Sequence, residues 1–276
     1  ADLGTLHFPD NQLLTSPIVH SGQWAVPGAT NLDFDTLILS NCSIRFFQDG
    51  TRITTTNDLV ISGAGARLEI GSDTFMTNGS YLDLNLNRRF YNSGSTPPSL
   101  NVGGDLILSN GSLYVFSIQT NAAAPDLGAL VGITNDLILY GSSRIYPVSH
   151  PTNGGSVLFT AQNVFIASGA AINANSMGYA PGAQTGNNPG FGPGAGGLRA
   201  GAGYGGFGGN YVDLGGLTYG SASAPVNPGS GGGTYSGNAA GGGGGLVRIQ
   251  AAQTVTINGA ISADGLGVSD NSGAGS

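Results

Sequence analysis

Gly104-Asp-Leu-Ile-Leu108 and Asn135-Asp-Leu-Ile-Leu139 are two copies of one five-residue pattern. It occurs again as Asp35-Thr-Leu-Ile-Leu39, Asn57-Asp-Leu-Val-Ile61, Gln162-Asn-Val-Phe-Ile166 and Gln253-Thr-Val-Thr-Ile257. Within each copy the apolar residues alternate, which is the period of a strand and not of a helix. Most copies lead through a turn of small residues into a second alternating stretch, as in Ser109-Asn-Gly-Ser-Leu-Tyr-Val115 and Asn258-Gly-Ala-Ile-Ser-Ala263. From Leu37 through Leu59, Leu106, Leu137 and Val164 to Val255 the spacings are 22, 47, 31, 27 and 91 residues. Four of these fall in the 20–50 residue window of solenoid repeats. The interval of 47 reads as two coils, with a strand Tyr81–Phe90 in the extra one; the interval of 91 reads as one coil carrying a large insertion.

Short strands joined by 20–30 residues without a helical pattern predict an all-β chain: a right-handed parallel β-helix (solenoid) with a long Gly-rich insertion. Coils stack about 4.8 Å apart, with Leu, Ile, Val and Phe inside and Gly, Asn, Ser and Asp at corners that need left-handed backbone. Asp58, Asp105, Asp136 and Asn163 are read as capping those corners through their own backbone, with Ca²⁺ binding by a row of carboxylates as the alternative. Residues 1–30 are expected to form an extended N-terminal arm or cap, 31–177 the coils, 178–245 the insertion, and 246–276 the last coil and the start of a further Gly-rich tail. Ala1 fits a mature chain after leader removal, or an excised fragment. Asn271-Ser-Gly-Ala-Gly-Ser276 reads as the opening of a second excursion in a polypeptide that continues.

Composition narrows the chemistry. The 276 residues hold 8 basic and 15 acidic side chains, 50 glycines, one cysteine and three histidines, for a net charge of −7. All the basic residues are Arg. Without lysine there is no P-loop, Schiff base or lysine general base. The negative balance argues against nucleic-acid binding, and no apolar run is long enough for a membrane span. Cys42 has no partner for an internal disulfide. No cofactor is implied and no metal site is predicted. Low charge, no lysine and much Gly, Ser, Asn and Thr point to an extracellular or cell-surface protein. Asn41-Cys-Ser43, Asn78-Gly-Ser80 and Asn110-Gly-Ser112 match the glycosylation sequon, a pattern that also arises by coincidence in a chain rich in Asn and Ser.

The insertion holds 27 glycines in 68 positions, and its only charges are Arg199 and Asp213. Tyr179, Phe191, Tyr204, Phe207, Tyr211, Tyr219 and Tyr235 are interleaved. Three readings compete: a flexible tether, an ordered loop in which glycine permits close packing and the aromatics dock, and a ligand platform of exposed aromatics. So uncharged and aromatic a segment favours packing. The GxGxxG matches at Gly192–Gly197 and Gly201–Gly206 follow no clear strand and open no helix, so they carry no nucleotide signal.

Gly241–Gly245, Leu-Val-Arg-Ile-Gln250 and Val255-Thr-Ile-Asn-Gly-Ala-Ile-Ser-Ala-Asp-Gly265 resemble the glycine-rich β-solenoid surface proteins of bacteria, adhesin-like and autotransporter-passenger-like chains among them. The likeness covers about residues 154–265, is architectural over 30–150 and is absent from 1–30. It implies a solenoid at the cell surface and carries over no catalytic residue.

A carbohydrate-active β-helix enzyme needs paired carboxylates, whereas Glu69 is the only Glu. The best polar cluster is Asp83, Asn85, Asn87 and Arg89 on one strand face, with Arg88 beside it; it reads more simply as a solvated face. Enzyme is therefore the third reading. The first is a structural protein whose partner is itself, as a homo-oligomer or filament built by end-to-end coil stacking and N-terminal strand addition. Its assembly residues are Phe8, Ile18, Val19 and Trp24 of the arm and Tyr204, Phe207 and Tyr211 of the insertion. The second is an adhesin-type module that holds surface glycans.

Overall fold

A computed structural model describes residues 5–7, 18–20, 22–26, 30–46, 48–71, 95–118, 127–183, 186–236 and 239–267, with backbone alone for 5–7 and 18–20. Among the described residues all regular structure is β, in twenty-one short strands. Numbered in chain order, they form three parallel sheets. Sheet A stacks β1 (Thr5–His7), β3 (Gln23–Ala25), β6 (Ser43–Phe46), β9 (Arg67–Ile70), β12 (Ser112–Phe116), β15 (Arg144–Val148), β18 (Ala171–Asn173) and β21 (Ala260–Ser262). Sheet B stacks β2 (Ile18–His20), β5 (Leu37–Ser40), β8 (Leu59–Ser62), β11 (Leu106–Ser109), β14 (Asp136–Tyr140), β17 (Asn163–Ile166) and β20 (Val255–Ile257). Sheet C stacks β4 (Asn31–Phe34), β7 (Arg52–Thr55), β10 (Ser99–Val102), β13 (Leu127–Ile133), β16 (Ser156–Ala161) and β19 (Arg248–Ala251). Each full coil runs through C, then B, then A. The chain is a parallel β-solenoid.

The repeated pattern supplies the core because strand alternation sends every second side chain inward. Leu37, Leu59, Leu106, Leu137, Val164 and Val255 stack in register, and so do Leu39, Ile61, Leu108, Leu139, Ile166 and Ile257. The first five members of each column are buried. Ile44, Leu68, Leu113, Ile145 and Ile172 line the interior from sheet A, and Leu32, Ile53, Leu100, Val131 and Phe159 from sheet C. Cys42 is buried at a corner, where loss of solvent pushes its thiol above the usual range. Between sheets B and A the backbone turns through left-handed residues: Asn41, Gly63, Asn110, Gly141 and Gly169 all have positive φ. Asn and Gly tolerate that conformation best.

Three expectations are corrected. First, the 47-residue interval is one coil: β8 bonds directly to β11, β9 to β12 and β7 to β10. The strand expected at Tyr81–Phe90, with Asp83, Asn85, Asn87, Arg88 and Arg89, lies outside the described residues. Second, 18–25 is not a free arm. β2 ladders onto β5 and β3 onto β6, with β1 outside β3, so this stretch extends the solenoid. Third, the corner carboxylates cap the next coil and not their own. Asp58 Oδ1 accepts from Asp105 N at 2.8 Å, and Asp105 Oδ1 from Asp136 N at 3.0 Å. Asp136 Oδ1 accepts from Asn163 Nδ2 at 2.8 Å, and Asn163 Oδ1 from Thr254 N at 3.1 Å. The row is a ladder of hydrogen bonds along the solenoid axis. Among the described residues no three His, Cys, Asp or Glu side chains gather as a metal site.

Residues 178–245 leave the solenoid between β18 and β19, while β17 and β20 still pair across the gap. The insertion is ordered by backbone bonds that point in three directions. Gly178 N donates to Gly243 O, Tyr179 N to Gly229 O and Ala180 N to Pro151 O. Gly182 N, three residues after Tyr179, returns to the same neighbouring run at Gly232 O. That run sends Gly229 N to Gly244 O and Gly232 N to Gly241 O, while Gly231 N turns to Phe191 O. A strand alternates between two directions; a period of three is that of a polyproline II helix, which has no internal hydrogen bonds. The insertion is therefore a bundle of extended segments bonded to one another.

Candidate assembly interface

The last coil is where the core columns come to light. Val255, Ile257 and Ile261 are 49%, 47% and 39% exposed. Their partners one coil earlier, Val164, Ile166 and Ile172, are buried. All three continue inward-facing columns, so what they expose is core. Among the described residues β19, β20 and β21 are the outermost strands of the three sheets at this end and carry a parallel partner on one side. Leu266, just beyond, is also largely exposed.

The N-terminal end differs. β1, β2 and β4 are the outermost strands there. Yet Leu32 of β4 is fully buried, as are Val26, Leu37, Leu39 and Ile44. Trp24, half-buried, packs against the core, and Gly22 is held at a φ of 89° beside its indole. Among the described residues, Leu32 of the outermost sheet C strand is covered at this end, whereas Val255, Ile257 and Ile261 are exposed at the other.

The residues singled out in the sequence scatter across the molecule. Phe8 lies outside the described residues, and Ile18 and Val19 stand in β2. Tyr204 packs edge-on against Tyr219 at 4.9 Å, and burial raises both phenols above their usual range. The Tyr219 hydroxyl donates to Pro228 O at 2.5 Å and accepts from Ser230 Oγ at 2.8 Å. Phe207 and Tyr211 are exposed, at 76% and 58%, with Leu214 and Leu217 exposed on the same excursion. Gly208 N donates to Gly216 O within this turn. The Arg199 guanidinium sits 4.7 Å from the Tyr211 ring centre.

The lone Glu69 is outward on sheet A but buried, with both carboxylate oxygens engaged. Arg45 Nε donates to Oε2 at 2.5 Å, and Arg67 pairs with Oε1. Arg67 also covers the Tyr114 ring at 4.1 Å, and Tyr114 stacks on Tyr146 at 4.2 Å. Burial, only partly offset by Arg67, pushes the Tyr114 phenol up to about 12. The cluster clamps four successive rungs together. Asn41 and Asn110 of the sequons sit at left-handed corners; Asn110 Oδ1 accepts from Ser142 N at 3.0 Å, and Asn78 lies outside the described residues.

Sequence reasoning missed Val255, Ile257 and Ile261. They belong to recognised repeats, but the pattern says which way a side chain points, not whether a further coil covers it. Among the described residues no helix is long and apolar enough to cross a membrane. Comparison with protein families, curated proteins and solved structures finds no match.

Proposed function

We propose that this chain is an extracellular or cell-surface structural protein that self-associates end to end through the coil β19–β21, whose core side chains are exposed among the described residues. The observation that carries the reading is the exposure of Val255, Ile257 and Ile261 in columns that are buried from β5 and β6 through β17 and β18. Covering a half-exposed Val or Ile returns about 1 kcal/mol each. That is small against the ~4–15 kcal/mol cost of association, so the three strand edges must contribute hydrogen bonds as well. A second copy offers matching edges: β4, β2 and β1 end the same three sheets whose other ends are β19, β20 and β21. Head-to-tail stacking continues every parallel ladder and has no built-in stop, which makes a filament. In a second geometry two copies of the exposed coil meet about a two-fold axis and stop at a dimer. The exported location rests on composition and on the resemblance to bacterial surface solenoids.

Sedimentation velocity over a wide concentration range tests this. The wild-type chain is expected to associate as concentration rises, and Ile257→Asp to weaken association at least tenfold. Ile257 is already half exposed, so that variant is expected to fold. A wild-type chain that stays monomeric at high concentration overturns the proposal, and so does an Ile257→Asp variant that associates equally well.

Exposed Phe207, Tyr211, Leu214 and Leu217 on one glycine-held turn favour a second reading, a surface module that grips glycans by stacking. Loss of glycan retention in Phe207→Ser, with association unchanged, identifies that role.

A further inference from the structure

The outer face of sheet C carries one polar column that runs along the solenoid axis. Asp33, Thr54, Asn101, Gly132, Thr160 and Gln250 are in register on successive strands, about 4.8 Å apart. At Gly132 the column has no side chain, and a groove of about 320 Å³ opens there.

Two glycines of the same strand separate cause from consequence. At Gly128 a Cβ would lie 2.6 Å from Ser117 Cβ and 2.7 Å from Ser156 N, so packing demands glycine. At Gly132 a Cβ would meet nothing nearer than Asn101 Oδ1 at 3.5 Å and Thr160 Oγ1 at 3.8 Å, both ordinary contacts, and its φ is not left-handed. Neither fold nor backbone conformation requires glycine here, although glycine weakens a strand interior. What its absence of a side chain does is leave room over two polar atoms that converge on it. Among the described residues neither Asn101 Oδ1 nor Thr160 Oγ1 has a hydrogen-bond partner; the Asn101 amide nitrogen donates to Ser99 Oγ at 3.4 Å. Thr54 Oγ1 already accepts from Arg52 Nε at 3.3 Å.

We propose that this groove binds a neutral, linear glycan laid along the solenoid axis, with one sugar unit seated over Gly132 and its hydroxyls bonded to Asn101 Oδ1 and Thr160 Oγ1. No charged side chain lines the groove itself, with Arg52 only reaching Thr54 at its edge, so recognition there falls to neutral polar groups. The strands beneath it are paired on both sides, so their backbone has no free edge to offer a peptide, and recognition falls to hydroxyl and amide side chains. The site lies on the flank of the rod, away from the terminal coil, and stands independently of end-on assembly.

Affinity electrophoresis of the intact chain through gels containing a soluble β-glucan, a galactomannan, dextran or polygalacturonate tests it. At least one neutral polymer is expected to retard the wild-type chain. Gly132→Ala is expected to bind that polymer at least tenfold more weakly without melting earlier, and Asn101→Ala and Thr160→Val to weaken it too. Ile257→Asp is expected to bind normally. The proposal is overturned if no neutral polymer retards the chain, if polygalacturonate alone does, or if retardation survives in Gly132→Ala, Asn101→Ala and Thr160→Val.

Discussion

The coils and the insertion hold the same kind of extended backbone together in opposite ways. In the coils side chains make the interior: Leu, Ile, Val and Phe stack in columns, and backbone bonds run only between neighbouring rungs. Glycine often serves conformation there, as at Gly63, Gly141 and Gly169, where φ is positive, although a Cβ on Gly63 or Gly141 would also fall 2.0 or 2.3 Å from the side-chain oxygen of Asn41 or Asn110. In the insertion backbone packs directly on backbone. Among its described glycines only Gly186, Gly192 and Gly220 have positive φ. Many of the others are needed for contact: a Cβ on Gly190 would fall 1.9 Å from Gly231 O, one on Gly233 1.8 Å from Gly197 O, and one on Gly243 1.9 Å from Gly229 O, whereas Gly205, Gly206 and Gly209 face open space. One residue type serves two purposes, and substitutions can separate them.

The largest effect is expected from Gly233→Ala. A methyl group driven into a backbone oxygen in a buried position is overpacking at its worst, about 3 kcal/mol. Because bonds within the insertion are mostly its own, the damage is expected to be local. Amide exchange across 178–245 should rise about a hundredfold, while β8, β11 and β14 keep their protection. Equal loss of protection in the coils would show that the two regions fold as one unit.

Alkaline titration gives a smaller effect, with one reporter in each region. Burial raises Tyr114 in the solenoid to about 12 and raises Tyr219 in the insertion as well. Folding therefore favours the neutral phenol. That stability is complete below the unfolded value near 10 and fades as pH climbs through the folded values. Thermal melting is expected to hold up to about pH 10 and to fall above it. Tyr219→Phe should flatten the part of that fall that follows exchange in the insertion. An unchanged profile in Tyr219→Phe would sever the link to its buried hydroxyl.

The smallest effect is expected at a corner. Asn41→Gly keeps the left-handed corner with a residue that adopts it freely, and should shift stability by only a few tenths of a kcal/mol. Asn41→Val should cost about 1–2 kcal/mol. Equal losses for Gly and Val would mean that the Asn41 side chain is there for contact and not for conformation.

Much of this was legible before any coordinates. The alternating Leu-x-Leu copies named the core columns, and matching sequence on either side of 178–245 marked it as an excursion between adjacent coils. What stayed hidden depends on neighbours that a linear pattern does not contain. Tyr81–Phe90 alternates as well as the described rungs do, so the interval around it reads as two coils in the sequence. Ile18–His20 and Gln23–Ala25 are too short to display a period, so a coil read as an arm. The Asp row was recognised as capping, but that each carboxylate reaches the next coil is a fact of stacking. Gly132 is one glycine among 50, set apart only by the space its missing Cβ leaves.

Electron microscopy of the full chain at rising concentration tests end-on assembly most directly. Seven rungs of sheet B give a rod roughly 30 Å long. Assembly through the last coil requires particles that lengthen along the rod axis in steps of that size, joined at their ends. Single rods at every concentration, or rods joined only along their flanks with both ends free, would contradict it.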